Sequence, residues 1–71
     1  SLRGKRVVVA GLGAFGGGVA AARYLADQGA DVLVTDLKSQ EALADSIRLL
    51  QDFDILYELS GHKASVFETV R

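Results

Sequence analysis

The stretch Val7-Val8-Val9-Ala10-Gly11-Leu12-Gly13-Ala14-Phe15-Gly16 decides the fold. A short β-branched run breaks into Gly-x-Gly-x-x-Gly and is followed by a helix of small residues. A second apolar run then closes on Asp36, twenty residues after Gly16. Strand, glycine turn, helix and distal acid in this order describe a βαβ unit that receives a nucleotide diphosphate at the start of its helix. The glycines alone would be a weak signal. With their flanking strand, helix and acid they specify an α/β fold with a Rossmann-like parallel sheet, but several nucleotides can use the same cradle.

Outward from the turn, Lys5 to Ala10 reads as a buried parallel strand, without alternation and without charge after Arg6. A first helix is predicted over residues 14–28. Its small residues let it lie close to the sheet, and Val19, Ala22 and Ala26 share one face. Gly29 takes the position past the helix end, where a left-handed backbone is needed. Asp31 to Thr35 is the second strand. Ser39 is a candidate N-cap for a second helix over residues 40–51, with Glu41 in its first turn and an apolar stripe of Leu43, Ile47 and Leu50. Asp54 to Leu59 is a third strand, interrupted by Glu58, and Ala64 to Val70 begins a third helix. The order β-α-β-α-β-α is an incomplete half of a doubly wound domain, with strands expected in the order 3-2-1. The sequence supplies no fourth strand, so the outer side of the first strand is expected to be exposed or covered by a partner. That partner would be the remainder of the same domain, or a second copy across the open edge.

Each residue of the turn has a physical task. Gly11 permits the tight exit from the strand, Gly13 lets a phosphate approach the backbone, and a third glycine allows close helix–strand contact. Gly16, Gly17 and Gly18 all qualify for that third role. Free N–H groups at the helix start and the helix dipole would then favour the diphosphate. The plainer reading is a tight βα turn without a ligand. Asp36, at the end of the second strand, suits ribose hydroxyls or a base N–H, or else serves as a turn or capping acid. Lys38 either meets a phosphate or is simply solvated. His62 reads as a loop residue. No catalytic grouping and no Gly-x-x-x-x-Gly-Lys-[Ser/Thr] phosphate loop appears, so the segment binds and is not expected to catalyse.

Composition narrows the classes. At 71 residues the chain is one small domain or part of one, and such a domain hides only about 60% of its unfolded surface. A hydrophobic fraction of 49% excludes compositional disorder. The net charge of −1 is interspersed, and the short cluster Arg3-Lys5-Arg6 reads as a solvated end, so no nucleic-acid partner is expected. The absence of cysteine excludes a disulfide scaffold and a Cys-based metal site, and no metal site is predicted. The apolar runs fall far short of the roughly 20 residues of a membrane span, and no signal peptide is visible, so a cytoplasmic location is expected.

The wording around the turn carries a family resemblance. Leu2-Arg3-Gly4-Lys5-Arg6-Val7, Gly11-Leu12-Gly13 and Ala20-Ala21-Ala22-Arg23-Tyr24-Leu25 resemble the N-terminus of the UDP-N-acetylmuramoyl-L-alanine:D-glutamate ligases, the MurD branch of the Mur ligase family. The resemblance continues through residues 29–38 and reappears at Gly61-His62-Lys63, covering nearly the whole chain. Its most specific parts are Ala20 to Leu25 and Val34-Thr35-Asp36-Leu37-Lys38. It implies the front part of a three-domain cytoplasmic enzyme of peptidoglycan synthesis. In that family a Rossmann-like N-terminal domain holds the UDP end of UDP-MurNAc-L-Ala. A central domain binds ATP and magnesium and activates the substrate carboxylate as an acyl phosphate, which D-glutamate attacks. Carried over, Gly11, Gly13, Ala14, Phe15 and Gly16 would face the UDP moiety, and Asp36 with Leu37 would bracket the uracil. Two departures stand out. Phe15 replaces the Ser or Thr of many members, and the stretch from Gly11 to Asp36 is longer than the commonest family form, with the surplus in Gly16-Gly17-Gly18.

Three readings follow. The resemblance favours a UDP-sugar-binding segment of such a ligase. The motif alone equally suits an NAD-binding βαβ half-domain of an oxidoreductase or regulatory module, since Asp36 matches the ribose of NAD. A fragment that binds nothing is the third.

Overall fold

The computed structural model describes residues 1–13 and 17–61. Among these, β1 (Arg6–Ala10), α1 (Gly17–Asp27), β2 (Asp31–Thr35), α2 (Ala44–Arg48) and β3 (Leu56–Glu58) follow in sequence. The strands form one parallel sheet in the order β1-β2-β3, pairing Val8 with Leu33 and Leu33 with Leu56. This is the expected 3-2-1 order and an incomplete Rossmann-like α/β fold. The expected third helix lies outside the described residues.

The core forms where the small face of α1 meets the sheet. Val19 and Ala22 are buried and Ala26 packs beside them, against Val32 and Val34 of the central strand. Gly29 ends the turn after α1 at φ +93°, the left-handed conformation its position requires. The first strand departs from expectation. Val7, Val8 and Val9 are only half-buried, because β1 pairs with β2 alone among the described residues and lies at the sheet edge. Val8 and Leu33 are half-buried and lie apart from the core cluster, which contains Val32 and Val34 and has Val7 and Val9 packed against it. Leu56, in register with Leu33, is 69% exposed.

The second helix is shorter than the sequence predicts. Only Ala44–Arg48 is α-helical. Residues on its C-terminal side close through i→i+3 bonds, such as Leu50 N to Ile47 O at 2.9 Å and Phe53 N to Leu50 O at 3.0 Å. Ser39 is not its N-cap. Its hydroxyl accepts Ala42 N at 3.2 Å and its carbonyl accepts Leu43 N at 3.1 Å, so it closes the turn before the helix. A helix this short cannot persist on its own hydrogen bonds. The stripe Leu43, Ile47, Leu50 holds it, with Leu43 and Leu50 buried and Ile47 packed against them. The Asp45–Arg48 ion pair at 3.0 Å is exposed and contributes little. The Arg23 guanidinium donates to the Leu49 carbonyl at 2.7 Å and fastens this segment to α1. The third strand is shortened to Leu56–Glu58, and Glu58 is part of it.

Burial against the core raises the pKa of the Tyr57 phenol above its ordinary value of 10.0. The neutral phenol is thus favoured in the folded chain. Its contribution to stability is complete below the unfolded pKa of about 10 and is lost as pH rises through the folded value. Absorbance titration of tyrosinate should therefore show a late-ionising component that Tyr57→Phe removes. A Tyr57→Phe variant with an unchanged titration curve would contradict this.

Candidate functional site

The site forms at the carboxyl ends of β1 and β2, where open α/β sheets take their ligands. At the exit of β1, Gly11 N donates to Thr35 O at 2.6 Å, tying the start of the turn to the last residue of β2. Gly11 and Gly13 have φ of +94° and +76°, so the chain reverses there in conformations that side chains rarely adopt. Between them Leu12 is fully buried, whereas Gly13 is exposed.

Among the described residues, the glycine that packs against the turn is Gly18. A Cβ there would fall onto the Gly11 carbonyl oxygen and Leu12 Cα, and 2.6 Å from the Leu12 carbonyl carbon. At Gly17 it would meet nothing within 4 Å. Gly18 N also donates to Leu12 O at 2.9 Å, so the second residue of α1 is both packed against the turn and bonded to it. Gly18 follows Gly13 by five positions, where Gly-x-Gly-x-x-Gly would place the third glycine at three. The surplus thus lies between Gly13 and Gly18. Ala14, Phe15 and Gly16 lie outside the described residues, as does His62.

Asp36 joins the two halves of the site. It is 8% exposed, and its Oδ2 accepts the buried Leu12 N–H at 3.0 Å. Oδ1 accepts Lys38 N at 2.9 Å, a local turn of the kind Asp favours. The backbone around it is equally engaged, since Asp36 N donates to Glu58 O at 3.3 Å and Asp36 O accepts Gly61 N at 2.9 Å. Leu37 beside it is 72% exposed and Lys38 is exposed. Tertiary structure thus brings Gly11, Gly13 and Asp36 together and leaves the Leu37 side chain open to solvent. Sequence reasoning did not identify Leu12, whose amide is the partner of Asp36. Its signal would have been an apolar residue between two turn glycines, which only makes sense if that side chain is buried.

Elsewhere, a hollow of about 420 Å³ is lined by Arg6, Asp31, Leu33, Asp54 and Leu56, near the amino ends of the strands. It lies at the wrong end of the sheet for the ligand position this fold uses. Among the described residues there is no group of three or more acidic, His or Cys side chains that could hold a metal ion. No helix among them is long and apolar enough to cross a membrane.

Fold and turn together define an incomplete Rossmann-like α/β segment with a glycine turn between β1 and α1. In sequence the chain is 51% identical over 61 residues to the UDP-N-acetylmuramoylalanine–D-glutamate ligase of Geobacter sp. (strain M21), covering 86% of this chain. It is 47% identical over 66 residues to the ligase of the same name from Roseiflexus sp. (strain RS-1), covering 93%. To that of Treponema pallidum (strain Nichols) it is 43% identical over 68 residues, covering 94%. The chain belongs to this MurD ligase family as an N-terminal fragment, and it spans only 13–14% of the length of these relatives. No protein-family model and no solved structure matches it.

Proposed function

We propose that these residues are the UDP-binding part of a ligase that adds D-glutamate to UDP-MurNAc-L-alanine in peptidoglycan synthesis. One observation carries this: the chain matches relatives bearing that ligase name over most of its length. A 61-residue span within 71 cannot avoid residues 11–61, which include the glycine turn and Asp36. The turn also has the required character, with an exposed glycine backbone beside the start of a helix whose first turn carries no acidic residue.

In this reading Gly11, Gly13, Ala14, Phe15 and Gly16 bind the UDP moiety, and Asp36 with Leu37 brackets the uracil. The 71 residues are part of one Rossmann-like N-terminal domain, completed by the remainder of that domain or, in isolation, by a second copy across the β1 edge. By resemblance to the family, ATP and magnesium would be bound by other domains of the ligase. The expected setting is the cytoplasm, with neither nucleic acid nor membrane as a partner.

An NAD-binding half-domain uses the same turn, so the test sets the two ligands against each other. Amide chemical shifts should change saturably with UDP-MurNAc-L-Ala and remain unchanged with NAD. Saturable NAD binding that Asp36→Ala abolishes would reverse the assignment.

A further inference from the structure

We propose that Asp36 is a positioning residue that acts on the diphosphate through the glycine turn. This role rests on the UDP-binding reading above and adds a mechanism to it. Leu12 is held from both sides: its N–H donates to Asp36 Oδ2 at 3.0 Å, and its carbonyl accepts Gly18 N at 2.9 Å. The first bond holds the peptide plane between Gly11 and Leu12. The second holds the plane between Leu12 and Gly13, which carries the Gly13 N–H on the side opposite the Leu12 carbonyl. Since Gly13 is exposed and Leu12 buried, the clasp directs an accessible backbone donor from an inaccessible anchor. The same carboxylate binds Lys38 N through its other oxygen, so the turn is registered against the chain leaving β2.

The charge on Asp36 makes the role testable by sign. A carboxylate beside a diphosphate site repels the ligand, so on electrostatics alone Asp36→Asn should tighten anion binding. The clasp predicts the reverse. Asparagine has one carbonyl oxygen, which can hold Leu12 N–H or Lys38 N–H, and its amide group turns a donor toward the other.

The experiment titrates the 71-residue chain and its Asp36→Asn variant with inorganic pyrophosphate and with UDP, and records the Leu12 amide by NMR. Expected are a loss of affinity of about tenfold for both probes and an upfield shift of the Leu12 amide proton. Pyrophosphate affinity that holds or rises while UDP affinity falls would overturn the clasp and confine Asp36 to its place beside the uracil. An unmoved Leu12 amide would overturn it as well. A wild-type chain that binds neither probe would remove the UDP-binding reading and the proposal with it, a failure distinct from a variant that binds as well as wild type. Asp36→Glu, which keeps the charge but displaces the carboxylate by one methylene, should weaken both probes too, and it replaces Asp36→Asn if that variant does not fold. A purely structural role would lower the urea midpoint of Asp36→Glu while leaving the pyrophosphate affinity of its folded fraction unchanged.

Discussion

Gly18→Ala is expected to destabilise the chain severely. The added methyl would sit on the Gly11 carbonyl and Leu12 Cα, which are backbone atoms and have no rotamer to yield. Relief requires α1 to move away from the sheet, which would open the contact of Val19 and Ala22 with the core and break the Gly18–Leu12 hydrogen bond. Overpacking usually costs about 1–3 kcal/mol and more where backbone must shift, so a loss of about 3 kcal/mol or more is expected. A domain of 71 residues has roughly 4–10 kcal/mol of stability to lose. Gly17→Ala, one residue earlier, meets open space and should be neutral or stabilise the helix by up to about 1 kcal/mol. Urea denaturation followed by circular dichroism compares the two. Equal midpoints for Gly18→Ala and wild type would show that another glycine makes the helix–turn contact.

Leu50→Ala should be nearly as damaging. Leu50 is 1% exposed and closes the turn after α2. Its segment has only five helical residues, and its long connections are made of single turns. The backbone there has little cooperativity of its own, so burial of Leu43 and Leu50 holds it on the sheet. Truncating a buried leucine costs about 2–5 kcal/mol, whereas Leu49→Ala, at 60% exposure, should stay within about 0.5 kcal/mol. Thermal melts of the two variants give the check, and a Leu49→Ala loss as large as that of Leu50→Ala would contradict the assignment of the anchor.

The contrast between these leucines marks what could be read from the sequence. The stripe Leu43, Ile47, Leu50 was legible as one apolar face, and all three reach the core. Its backbone was not legible as a helix from 40 to 51, because i, i+4, i+7 spacing is nearly as well met by a short helix flanked by tight turns. The small-residue face of α1 and the β2 boundaries were legible because burial on a sheet leaves little freedom of pattern. The degree of burial of β1 was not, since a β-branched run reads the same at a sheet centre and at its edge.

By itself, the sequence determined the β-α-β-α-β order, the parallel sheet, the glycine turn and the family, all of which depend on local residue type and spacing. Tertiary structure alone decided that Gly18 packs against the turn, and that Asp36 reaches across 24 positions to the Leu12 amide. Both depend on where a helix and a strand end meet in space. Consecutive glycines are equivalent along the chain, and only the approach of the Gly11 carbonyl distinguishes Gly18 from Gly17.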